Sequence, residues 1–145
     1  MRLTLCAEVV GHLDFAGQCA FAKAVGYEGI ELEPRALGPE PHLLPATRRA
    51  ELRRIVADHD LAISGLHSIL YVPPGLSITS ADPATRRRTL DVMERLCGLC
   101  VDLGGDYLVH GSAEQRLLSP KTAAADRARG IEALELGGRI AARLG

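Results

Sequence analysis

The sequence has no tryptophan, and its aromatic residues together amount to 3% of 145 residues. That scarcity excludes the stacking platform on which a single-strand nucleic-acid binder seats successive bases. An excess of one charge is missing too. The formal net charge is −1, so no bulk attraction draws the chain to nucleic acid or to an anionic membrane. No run approaches the roughly 18 apolar residues of a membrane span. The opening MRLTLCAEVVGHLDF carries one arginine and is interrupted by Glu8 and His12, too short and too polar for a signal peptide. A cytoplasmic location with no membrane partner is therefore expected, and Cys6, Cys19, Cys97 and Cys100 then remain thiols.

Phosphate-binding signatures are absent as well. EVVGHLDF, after the first strand-like segment, contains no G-x-G-x-x-G, and no Walker A sequence occurs anywhere. One C-x-x-C pair is present, Cys97-Gly-Leu-Cys100, but it lies within an apolar helical pattern and has no second pair to complete a zinc site. Core packing is its expected role. The arginines of TRRAELRRIVADH and Arg86, Arg87 and Arg88 are expected to line solvated helix faces.

What is present is an alternation of strand-like and helix-like segments, within a length and a 47% hydrophobic content that suit one domain over residues 1–145. Strands are predicted over 3–9, 28–33, 61–67 and 106–110. Helices are predicted over about 15–25, capped by Asp14 and ended by Gly26, and over 47–59, with Leu52, Ile55 and Val56 on one face. A third helix enters through Asp82-Pro83 and runs to about 103, where Gly104-Gly105 ends it. Ser119-Pro120 opens a last helix reaching Leu144, which Gly130, Gly137 and Gly138 weaken by about 1 kcal/mol each if interior. Short apolar strands alternating with helices imply right-handed crossovers and a parallel α/β sheet. AVGYEGIEL and DLGGDYLVH, each leading from a glycine-ended helix into a strand, form a faint repeat.

In such a sheet, chemistry gathers at the carboxyl ends of the strands. Glu8, Glu31, Glu33, His67 and His110 fall there. Ile30 and Leu32 alternate with Glu31 and Glu33, so the two carboxylates share a face, the inner one if the apolar pair meets the helices. A carboxylate so placed needs a partner or a metal. Two histidines at equivalent ends of adjacent strands, with a carboxylate on the strand before, point to one shared site. His12, His42 and His59 have no such company and are expected in loops or on the surface.

GYEGIELEP, ISGLHS and GLSITSADPATRRRTLDVMERLCGLCVDLGGDYLVHGS, in that order and spacing, resemble the xylose isomerase-like TIM-barrel superfamily. Its branches include sugar isomerases and epimerases, hydroxypyruvate isomerase, inosose dehydratase and the AP endonucleases (AP endonuclease family 2). The resemblance implies a (β/α)8 barrel with a divalent metal (Mn, Mg, Co or Zn) at its carboxyl face. It implies substrate-binding roles for Glu31, His67 and His110 on strands two, three and four. In the endonuclease branch the matching histidines, here His67 and His110, ligate zinc.

Such a barrel needs about 200–250 residues, so 145 residues are expected to form about four of the eight (β/α) units, the N-terminal half-barrel. The family's metal ligands come mostly from strands five to eight, so the complete catalytic set is not expected in this chain. The expected partners are a small sugar-like substrate and either the missing C-terminal half or a second copy, with no nucleic acid. Three functions compete. One is a sugar isomerase or epimerase that moves a proton alpha to a carbonyl with a metal's help. The others are a zinc-dependent AP endonuclease-type phosphodiesterase and a non-catalytic half-barrel interaction module.

Overall fold

The computed structural model describes residues 2–145. Four strands form one parallel sheet in the order β1-β2-β3-β4: β1 Thr4–Cys6, β2 Gly29–Leu32, β3 Ala62–Leu66 and β4 Tyr107–Leu108. Four helices connect or follow them: α1 Phe15–Ala24, α2 Ala46–Asp58, α3 Pro83–Leu103 and α4 Ala123–Leu144. Every predicted strand and helix is present, and the strands are shorter than predicted. At β1 the chain leaves the ladder after Cys6 and tightens into a 3-10 turn, Ala7–Val10, which carries Glu8 past the strand end. The loop after β2 is likewise folded into two 3-10 turns, Pro34–Leu37 and Pro41–Leu43. Among the described residues, no helix is long and apolar enough to cross a membrane.

Local chemistry explains the helix ends. Asp14 caps α1 by accepting from Gly17 N at 2.8 Å, and Asp82 caps α3 by accepting from Ala84 N and Thr85 N. Gly104 closes α3 with φ +83°, the left-handed conformation in which glycine has no Cβ penalty. The start of α4 differs from the Ser119-Pro120 expectation. The Asp126 carboxylate accepts from Ser119 N and Thr122 Oγ, which folds 119–122 into a turn ahead of the helix. The glycines of α4 also have a purpose. A Cβ at Gly137 would stand 2.5 Å from Met93 Sδ, and one at Gly130 would be 3.2 Å from Thr79 Cγ2, so they let α4 approach its neighbours closely.

The core lies between the sheet and the helices. Ile30, Leu32, Leu52, Leu66, Leu96 and Leu99 are at most 2% exposed. Cys97 and Cys100 are buried free thiols, pushed up in pKa chiefly by that burial, so the C-x-x-C pair packs the core as expected.

One irregularity of the sheet decides what faces its inner side. Between β2 and β3 the register runs Ile30 to Ile63, then jumps to Glu31 opposite Gly65. Ser64 is the extra residue of a β-bulge, and its Oγ donates to Ile30 O at 3.3 Å. Strict alternation from the helix-facing Ile63 would send His67 to the same side as Ile63. The bulge reverses this. Leu66 enters the core at 0% exposure, and His67 turns to the face that carries Glu31.

Candidate functional site

His67 stands just past the end of β3, buried at 9% exposure. Its two ring nitrogens address two carboxylates: Nε2 lies 3.1 Å from Glu8 Oε2, and Nδ1 lies 3.2 Å from Glu31 Oε2. Glu31 comes from β2, register-paired with Cys6 of β1, and Glu8 comes from the 3-10 turn beyond β1. Cys6 Sγ lies 3.7 Å from His67 Nδ1 and 3.5 Å from Nε2. Burial, reinforced by the Glu31 and Glu8 charges, pushes the Cys6 thiol up in pKa.

The cation paired with the carboxylates of this cluster is Arg35. Its Nε pairs with the buried Glu33 at 2.5 Å and its Nη2 with Glu8 at 3.1 Å. It also lies 5.1 Å from the centroid of the Tyr71 ring, a cation–π distance. Glu33 thus has the partner that a buried carboxylate requires. Tyr107 of β4 completes the inner wall. Its hydroxyl is 3.2 Å from Ser64 Oγ, and burial, with the Glu31 carboxylate adding, raises its pKa.

The structure therefore brings Glu31 and His67 together, with Glu33 one step removed through Arg35. It does not bring His110 to them. Among the described residues, no hydrogen bond or ion pair joins His110 to His67 or Glu31. His110 instead lines a cleft of about 270 Å3 between the β4 edge and helices α3 and α4, beside Ile69, Met93, Cys97, Leu134 and Gly137. Its Nε2 is buried without a hydrogen-bond partner, and burial lowers the pKa of its ring. Two histidines at similar strand ends thus face opposite sides of the sheet, because β3 carries a bulge and residues 65–66 and 107–108 pair in simple register. His42 lies in a loop as expected but is buried at 8% exposure, with Nδ1 unpartnered. Cys6, Arg35 and Tyr107 are site-lining residues that sequence reasoning missed; for Cys6 and Tyr107, alternation with Leu5 and Leu108 was the available signal.

Chemically, the cluster presents two carboxylates able to accept substrate hydroxyls, an imidazole able to donate or accept a proton, and one guanidinium. Two overlapping donor sets place their ligand atoms within 4.8 Å of one another: Cys6, Glu31 and His67, and Glu8, Glu33 and His67. In the second set Arg35 pairs with both glutamates; in the first, Cys6 Sγ lies closer to His67 Nε2 than to Nδ1, off the line along which Nδ1 would bind a metal.

Comparison with solved structures shows that the fold is similar to those of sugar epimerases. A D-psicose 3-epimerase structure determined in the presence of D-fructose superposes with a TM-score of 0.74 at 16% identity, covering 100% of this chain and 50% of that one. A D-allulose 3-epimerase from Methylomonas sp. in complex with D-allulose gives a TM-score of 0.73 at 21% identity, covering 100% and 49%. The 3-keto-D-glucoside 4-epimerase of E. coli gives 0.65 at 17% identity, covering 91% and 48%. This chain spans about half the length of each. No curated protein sequence matches it significantly. Residues 19–145 match the family described as xylose isomerase-like TIM barrel, and the chain belongs to that family.

Proposed function

We propose that this chain supplies the β1–β4 side of a sugar isomerase or epimerase site. The reaction is proton transfer alpha to the carbonyl of a small sugar or hydroxy-carbonyl compound. The observation that carries the reading is His67 held between Glu8 and Glu31 at the carboxyl end of the sheet. A ketohexose offers adjacent hydroxyls and a carbonyl; carboxylates accept from the hydroxyls, and an imidazole N–H donates to a carbonyl or hydroxyl oxygen. His67 and Glu31 are the substrate-contacting residues of this reading, with Glu8 orienting the ring. His110 faces the helices and contributes to the β4–α4 cleft. A divalent metal would supply polarisation of the carbonyl, with Glu31 and His67 the side chains of this chain nearest to holding it. Residues outside this chain complete the catalytic set.

Carboxylates at Glu8, Glu31 and Glu33 against one arginine repel a phosphodiester, which favours the sugar reading over the endonuclease one. The test is ligand-observed NMR with D-fructose and D-allulose. Wild-type chain is expected to bind one of them in chelator-treated buffer. His67→Ala and Glu31→Gln are each expected to weaken binding about tenfold or more, the scale of a lost charge-assisted hydrogen bond, while His110→Ala leaves it within twofold, roughly experimental scatter. Equal binding by wild type and His67→Ala would remove the basis of the proposal.

A further inference from the structure

We infer that Arg35 is a positioning residue of the sugar site: it holds Glu8 against His67, so that Glu8 orients the ring and Glu31 is left for substrate. This deepens the proposed function and rests on it for the substrate; the positioning itself stands on the contacts.

Glu8 is badly placed to hold a ring by itself. It lies on the 3-10 turn past β1, outside the sheet ladder, and its side chain is 50% exposed. An exposed carboxylate with one partner gives up side-chain freedom for little gain. Glu31, by contrast, is fixed within β2 and its side chain is 16% exposed. Arg35 makes up the difference. The two oxygens of Glu8 are divided between two partners: Oε1 accepts from Arg35 Nη2 at 3.1 Å, and Oε2 faces His67 Nε2 at 3.1 Å. An ionised carboxylate only accepts, so Nε2 carries the proton that this contact uses.

Arg35 is itself fixed from three sides. It directly follows Pro34, whose ring sets φ at the start of the 3-10 turn Pro34–Leu37. Its Nε is tied to the buried Glu33 at 2.5 Å, and its guanidinium lies 5.1 Å from the Tyr71 ring centroid. One planar group therefore joins the end of β2 to the turn after β1 and to the loop after β3. A lysine, with one ammonium on a flexible stem, cannot hold both carboxylates and the ring in that fork. No lysine or arginine pairs with Glu31 among the described residues. Arg35 thus restrains one of the two carboxylates beside His67 and leaves the other to accept from a substrate hydroxyl.

The experiment is a double-mutant cycle on nitrogen-15-labelled chain, following solvent exchange of the His67 Nε2 proton by NMR. Arg35→Lys keeps a cation beside the buried Glu33, and Glu8→Gln leaves an amide oxygen that can accept from only one of the two partners. Each is expected to speed exchange about tenfold, the scale of one lost charge-assisted hydrogen bond. The double variant is expected to exchange no faster than the faster single one, because both changes act on one contact. Should Arg35→Lys lose its folded amide spectrum, the cycle is run in a Glu33→Gln background, where no buried charge needs matching. An unprotected Nε2 proton in the wild-type chain, additive effects, or wild-type exchange in Arg35→Lys would overturn the inference. Binding of D-fructose and D-allulose by the same variants is read separately. A wild-type chain that binds neither sugar refutes the proposed function and leaves the positioning to be judged on exchange, whereas sugar binding with an additive cycle refutes only the role of Arg35.

Discussion

At the scale of single residues, charge is placed where a partner already waits. Glu33 is buried and meets Arg35, and Asp126 is buried and accepts from Ser119 N and Thr122 Oγ. Asp82 shows the consequence for stability. Its carboxyl, held by the Thr85 hydroxyl and the Ala84 and Thr85 amides, titrates below the usual carboxylate range. The folded state therefore binds the proton less readily than the unfolded state. The cap's contribution is complete above the unfolded value, about pH 3.9, and is lost as pH falls through the lowered folded value. Asp82→Ala is expected to be less stable than wild type at pH 7, with the gap closing as pH falls below about 4. Urea midpoints across pH 2–7 check this; a gap that stays constant in acid would refute the assignment.

At the scale of elements, the β3–β4 contact leaves no room for a side chain where β3 crosses Tyr107. A Cβ at Gly65 would come 2.4 Å from Tyr107 O and 2.8 Å from two ring carbons. The backbone oxygen cannot swing aside, so Gly65→Ala is expected to destabilise the chain by about 1–3 kcal/mol. Gly138, inside α4 with nothing within 4 Å of a built Cβ, provides the opposite case. Gly138→Ala is expected to stabilise by about 0.5–1 kcal/mol through helix propensity. Paired urea melts read both signs, and a neutral Gly65→Ala would mean that β4 does not lie against β3 as described.

At the scale of the whole molecule, the sheet presents two edges, β1 and β4, and apolar side chains remain in water. Leu117, Ile131 and Leu134 are each more than half exposed, and Val109 is 43% exposed beside the β4 edge. The accessible surface is 8020 Å2, against about 7,200 Å2 for a monomer of 15.5 kDa. The excess of about 800 Å2 equals one partner's share of a standard interface. The 145-residue chain is therefore expected to self-associate at micromolar concentration. Light scattering should show mass rising with concentration, and Leu134→Glu and Val109→Lys should lower it. A monodisperse monomer with a cooperative melt would count against this.

Much of this was legible before any coordinates. Four (β/α) units follow from Asp14, Asp82, Gly26 and Gly104 as punctuation and from apolar runs between them, since caps and period are local properties of the chain. The inward turn of Glu31 followed from its alternation with Ile30 and Leu32. What the sequence did not reveal was the fate of the two histidines. LAISGLHS and DYLVHGS look alike, yet the extra residue at Ser64 sends His67 toward Glu31, while His110 lies against α3 and α4. A β-bulge is fixed by how one strand pairs with its neighbour, and that pairing has no signature within the strand itself. The sequence alone determined which residues were available to make a site, because burial and local propensity are written in residue type. The tertiary structure alone decided that Cys6, Glu8 and Glu31 gather around His67, because only the packed sheet brings residues some sixty positions apart within hydrogen-bond reach.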